Sequence, residues 1–272
     1  MNRKVLWAAL VVPVVLFSLV ATAQRWRYRG DYRHVGRGGV PTWEIDAEMP
    51  ADTFTFVRIK YDSYGRGGGW DTDYRDSDLN FSLRLQQLTS LKVNPEPMVL
   101  ELTDPRLFDY PFIYLVEPGG MVLSEPEVQA LRRYCLNGGF LMVDDFWGDR
   151  EYRDLERNLT RVFPDRQAEE VPLSHEIFHC VYDLKEKPQV PSIHAASRGD
   201  FHGEYRPGSD TSRAIYRSIN DDQGRIMVFI CHNTDLGDGW EREGEDPWYF
   251  EQYSVKKAYP MGINIVTYAM TH

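Results

Sequence analysis

Gly138-Gly139-Phe140-Leu141-Met142-Val143-Asp144-Asp145-Phe146-Trp147-Gly148 decides how this chain is read. An apolar run leaves a Gly-Gly turn, stops at two adjacent acids, and passes into an aromatic pair and a glycine. So short and unbroken a run predicts a strand buried on both faces, as in a parallel sheet. The acids at its end predict a polar cleft, because open α/β sheets take their ligands beyond the carboxyl ends of their strands.

Upstream, Ser124-Glu125-Pro126-Glu127 opens a helix with a capping box, and Asn137-Gly138 closes it. Residues 112–116 form a strand that ends in Glu117-Pro118-Gly119-Gly120, and residues 98–102 form another. Residues 54–61 alternate and form the first strand, followed by a loop dense in Gly, Asp and aromatics at 62–74. Its glycines allow close backbone approach to a ligand, but no G-K-[ST] makes it a phosphate loop. Asp76-Ser77-Asp78 caps a helix carrying Phe81, Leu85 and Leu88. Downstream, residues 150–163 are helical up to Pro164. Residues 186–212 are a long excursion, and residues 214–219 and 225–231 flank a hairpin turn. Residues 247–272 are largely helical, with a break at Pro260. Strands and helices alternating in this way predict an α/β fold with a mainly parallel sheet and right-handed crossovers.

The N-terminus is of another kind. A basic start at Arg3-Lys4, an uncharged apolar run over 5–20 and Ala21-Thr22-Ala23 predict a signal peptide at 1–23. Residues 5–23 are also long enough to stay as a membrane tether. Either way the body is expected to be periplasmic or otherwise extracytoplasmic. Residues 24–51 read as an Arg- and Gly-rich linker, and 52–272 as the folded domain. Residues 42–272 hold 24 basic against 40 acidic residues, which argues against nucleic acid as a partner. Of three cysteines, Cys135 and Cys231 sit in core patterns, so no disulfide framework or thiolate metal site is expected.

Three strand-end loops carry reactive groups. The ligand-binding candidates are Glu117, Asp144, Asp145 and Trp147, with His232, Asn233, Asp235 and Asp238 from the third. Gathered at one sheet edge, Asp145, His232 and Asp235 could hold a divalent cation, or two carboxyls could work as an acid/base pair. His175-Glu176-Ile177-Phe178-His179 matches H-E-x-x-H, which makes His175 and His179 an alternative metal pair if the segment is helical. Its plainer reading is a turn that His175 caps, with Ile177 and Phe178 packed inward. Trp70, Trp147, Trp240 and Trp248 are candidates for lining a groove.

These stretches together resemble a known bacterial family. Trp70-Asp71-Thr72-Asp73-Tyr74, Tyr110-Pro111-Phe112-Ile113-Tyr114, the Gly138–Gly148 stretch, residues 232–241 and Tyr259-Pro260-Met261-Gly262-Ile263-Asn264 are similar to a domain family of unknown function, over about 52–272. The resemblance implies a flavodoxin-like three-layer sandwich of the class I glutamine amidotransferase-like superfamily. It also implies an exported or membrane-tethered envelope protein, often encoded near MoxR-type ATPases and von Willebrand A-type proteins, which makes such proteins candidate partners. Amidotransferases carry a nucleophilic Cys after the strand at 140–143. Here Asp144-Asp145 stand there, so glutamine hydrolysis is not expected. What remains is a non-catalytic ligand- or protein-binding module with a degenerate pocket. The alternative is a metal-dependent hydrolase using the strand-end Asp, Glu and His residues.

Overall fold

The computed structural model describes residues 37–45, 52–64 and 69–272. The expected leader at 1–23 and most of the expected linker at 24–51 lie outside the described residues. Residues 40–272 form one unit. Of residues 1–39, only a turn at 37–39 is described.

The first half of the unit builds β1 (Val57–Lys60), β2 (Asp62–Ser63), α1 (Asp76–Leu88), β3 (Met98–Glu101), β4 (Phe112–Val116) and β5 (Met121–Val122). Then come α2 (Glu125–Leu136), β6 (Phe140–Asp144), α3 (Gly148–Val162), β7 (Glu169–Glu170) and α4 (Ile193–Ser197). The chain closes with β8 (Ile215–Asn220), β9 (Ile226–His232), α5 (Leu236–Glu241), α6 (Pro247–Tyr249), a π-helical segment (Phe250–Ala258) and α7 (Tyr259–Thr271).

Seven strands form one sheet in the order β3-β1-β4-β6-β9-β8-β7. The first five are parallel; β8 runs antiparallel to β9, and β7 antiparallel to β8. Every residue of β4, β6 and β9 is buried, as a strand covered on both faces requires. Their register sets Val116 beside Asp144 and Val143 beside Ile230, so these strands end level with one another. Counted by first appearance, the parallel strands lie 2-1-3-4-5, and the order reverses between β1 and β4. That reversal opens a crevice at the carboxyl edge.

Two cores flank the sheet. Phe81 and Leu85 of α1, Trp240 of α5 and Ile263 and Val266 of α7 pack with Phe56, Tyr114, Phe140 and Phe229 on one face. Val128 and Leu131 of α2 and Leu155 and Leu159 of α3 pack with Ile59, Leu115, Val143 and Ile230 on the other. The result is helix, sheet, helix, compatible with a three-layer sandwich.

Several local expectations change. The first strand is shorter than 54–61, because Phe54 leaves it for a bridge to Val93. The acids expected to cap α1, Asp76 and Asp78, lie inside its first turn and do not cap it. Its N-cap is Arg75 with no side-chain bond, and Asp78 is drawn inward to the buried Arg58 instead. Pro260 does not break the last helix. It follows the π-helical segment, whose wider winding shifts the hydrogen-bond register, so a residue without an N–H is carried through. The three cysteines are free, with Cys135 and Cys231 buried. Among the described residues no helix is long and apolar enough to cross a membrane.

Candidate functional site

Four loops leave the carboxyl ends of β1, β4, β6 and β9 and enclose a cavity of about 670 Å³. Asp73, Glu117, Asp145, Asp235 and Asp238 line it, with Glu204 entering from the long excursion. The loop after β1 is anchored from below by Arg58, which is wholly buried. Its guanidinium binds Asp78 Oδ2 at 3.0 Å and the carbonyls of Trp70 at 3.0 Å and Thr72 at 2.7 Å. From above, Glu117 Oε2 accepts from Gly69 N at 2.8 Å and Thr72 Oγ1 at 2.9 Å. Asp73 is held between these two anchors.

Backbone strain marks the same place. Asp73 (φ 59), Glu117 (φ 49), Asp145 (φ 50) and Asn233 (φ 59) are the non-glycine residues with left-handed backbone among those described. Three of the four line the cavity. Such conformations cost about a kcal/mol each and persist where the surroundings hold a functional geometry.

The electrostatics follow from burial. Burial pushes the Asp145 carboxyl well above the usual carboxylate range, and Glu117, Asp73 and Asp144 add to the rise. Asp235 is raised well above its ordinary value by burial, then by Asp145 and Asp238, and Asp73 by burial, then by Glu241 and Asp238. Glu117 is raised by burial against the bonds from Thr72 and Gly69. Asp144 lies beneath the cavity. Its Oδ2 accepts from Tyr114 Oη at 3.1 Å and Gly237 N at 3.0 Å, and burial pushes it up to about 7.

The other candidates have different surroundings. Trp147 is buried, and its Nε1 donates to Asp145 Oδ1 at 3.2 Å. Asp235 caps α5 by accepting from Asp238 N at 2.7 Å, and Asp238 accepts from Ile193 N and from Arg242 Nε. Asn233 is structural: its Oδ1 accepts from Gly148 N at 2.8 Å, while Nδ2 donates to the carbonyls of Asp210 and Arg213. His232 stands apart from the carboxylates. Its ring stacks between Phe146 and Tyr152, with Nδ1 beside Arg217 and Nε2 on Gly148 O. Burial and then Arg217 lower it to about 4, so at neutral pH it is an uncharged packing group.

The H-E-x-x-H segment is not an α-helix. Glu176–Phe178 is one 3₁₀ turn that His175 Nδ1 caps, and Ile177 and Phe178 are buried. His179 has both ring nitrogens engaged, by Asp183 and Leu173 O at 2.7 Å each. The two imidazoles therefore do not share a helical face. Of the tryptophans, Trp147 is buried yet lines the cavity, Trp240 is a core residue, and Trp248 is about half exposed.

The sequence reading missed Asp73, Arg58 and Glu204 as site builders. Asp73 had a signal, as an acid in a Gly-rich loop after the first strand. Arg58 had none, because an Arg in an alternating strand reads as a solvent-facing residue. A second cavity, of about 750 Å³, lies between α3 and β8. Its guanidinium, Arg166, is already bound to Asn220 O and Asp222.

A family model described as a domain of unknown function (DUF4159) matches residues 55–270. No curated protein matches the chain.

Proposed function

We propose, for a chain that belongs to the DUF4159 family of domains of unknown function, that the domain is a binding module whose pocket takes a positively charged ligand. The carrying observation is the excess of carboxylates enclosed at the strand ends, with Arg150, Arg206 and Arg242 as the guanidinium groups on its wall among the described residues. Arg206 is already paired with Glu151 and Glu204, and Arg242 with Asp238 and Glu241.

Doubly wound folds commonly hold anions at a helix N-terminus beside the switch point. Here that role is closed. Trp147 N donates to Glu151 Oε2, Gly148 N to Asn233 Oδ1 and Asp149 N to Ser209 Oγ at the start of α3. A nucleotide or phosphate would meet like charge and find these three donors already taken.

The parallel order 2-1-3-4-5 supports the flavodoxin-like, class I glutamine amidotransferase-like reading, with Asp145 on the sharp strand-to-helix turn where a nucleophile would stand. Cys231, at the end of β9, packs in the core and is not among the cavity's lining residues. Glutamine hydrolysis is therefore not part of the reading. The leader-like residues 1–23 support export, and partners are sought in the envelope among von Willebrand A-type and MoxR-associated proteins. A metal-dependent hydrolase is the second reading, favoured by that position of Asp145.

The test is a melting-temperature panel at low salt. Spermidine, Mg²⁺ or Ca²⁺ should raise Tm in the wild type and not in Asp145→Asn/Glu117→Gln, while phosphate and AMP leave Tm unchanged. Stabilisation by AMP but by none of the cations would overturn the binding reading. Mn²⁺-dependent cleavage of an ester or amide panel, lost in Asp145→Asn, would establish the second one.

A further inference from the structure

One carboxylate oxygen each of Asp73, Asp145 and Asp235 lies within 4.8 Å of the others. Two oxygens on one hard cation, at the usual ion–oxygen distances, stand no more than about 4 to 5 Å apart. The three come from different loops, after β1, β6 and β9, so the fold converges them rather than the local sequence.

The carboxylates are also short of partners. Asp145 is 8% exposed and Asp235 4%. Asp145 spends one oxygen on Trp147 Nε1, and Asp235 one on Asp238 N. Among the described residues no donor reaches the second oxygen of either, and neither has an ion pair. Asp73 Oδ2 is fully enclosed with no hydrogen-bond partner. The space it faces is kept open by Gly237. A Cβ there would stand 2.8 Å from Asp73 Oδ2 and 2.9 Å from Tyr114 Oη.

A neighbouring group provides the contrast. Asp73, Asp238 and Glu241 also converge, but Arg242 Nε already stands 3.1 Å from Asp238 Oδ1 and 2.6 Å from Glu241 Oε2. That group carries its own cation. Among the described residues the first group has no ion pair of its own; Arg58, bound to Asp78, acts on Asp73 without pairing with it, and burying several carboxylates with so little counter-charge is costly.

The geometry points to a single divalent-cation site on Asp73, Asp145 and Asp235, with a donor set suited to hard ions such as Mg²⁺, Mn²⁺ or Ca²⁺. All three ligands are oxygens, and among the described residues no thiolate or imidazole belongs to the converging group. This names the charged ligand of the pocket reading above and rests on it for the sign of the charge.

The experiment is a titration of Mn²⁺ into the full chain at neutral pH, reading free ion by electron paramagnetic resonance, with Mg²⁺ and Ca²⁺ as competitors. One equivalent should bind. Asp145→Asn and Asp235→Asn, near-isosteric and checked for folding by melting, should each weaken binding at least about tenfold. Glu241→Gln should bind as the wild type does. Loss in Glu241→Gln with retention in Asp145→Asn would place the ion in the wrong group and overturn the assignment. No bound ion in folded wild type would also overturn it. In that case continued stabilisation by spermidine would leave the pocket reading standing, and its absence would sink both.

Discussion

Asp145 and His232 follow similar apolar strands, yet one faces a cavity and the other is walled in by rings. Both were legible as strand-end polar residues. Their surroundings were not, because those depend on segments distant in the chain, such as Arg217 beside His232 and Asp73 and Glu117 around Asp145. His232 gives a pH prediction. Its imidazole titrates at about 4 in the fold against 6.5 ordinarily. The folded state thus disfavours its charged form. The stabilisation is full above about 6.5 and is lost as pH falls through about 4, amounting to about 3 kcal/mol over that window. Urea melts should show wild type losing about that much stability relative to His232→Phe on acidification. A difference constant with pH would mean that His232 is not held neutral. Gly237 gives a second prediction. Gly237→Ala should cost about 1–3 kcal/mol by overpacking against Asp73 and Tyr114, and should weaken cation stabilisation of the melt.

At the scale of elements, β1 does two jobs. Ile59 packs into one core, while Arg58 reaches into the other side to hold the loop that presents Asp73. Removing one member of the Arg58–Asp78 pair leaves a buried charge alone. Arg58→Met or Asp78→Leu should each destabilise by about 3–5 kcal/mol, and Arg58→Met/Asp78→Leu by much less than their sum. Denaturant titration of the cycle checks this, and strict additivity would refute the coupling. The regular strands, α2 with its capping box and the β8–β9 hairpin were legible because hydrophobic period and cap chemistry are local. The π-helical segment was not. Its winding is decided by packing of Tyr253, Ala258 and Tyr259 against the core, and no period in the sequence announces it.

For the whole molecule, the sequence carried the layer order and the edge at which acids collect, since alternation of strands and helices dictates both. It did not carry which acids meet, because that needs the strand order. Trp43 Nε1 donates to Val93 O at 2.6 Å, which ties residues 40–45 to the sheet domain. A chain begun at residue 40 should therefore unfold in one calorimetric transition. A chain begun at 52 should melt at lower stability by about 1 kcal/mol for the lost bond. Equal stabilities would show that the tie contributes nothing.

The last strand of the sheet has a further consequence. β7 is only Glu169 and Glu170, both exposed and both acidic. A foreign strand arriving at that margin finds little backbone to copy and meets like charge. The apolar runs of β4, β6 and β9, which as bare peptides would template fibrils, are thereby kept interior to a sheet that does not lengthen at this end. The protein can thus hold three sticky strands side by side at high concentration without seeding its own polymer through that border.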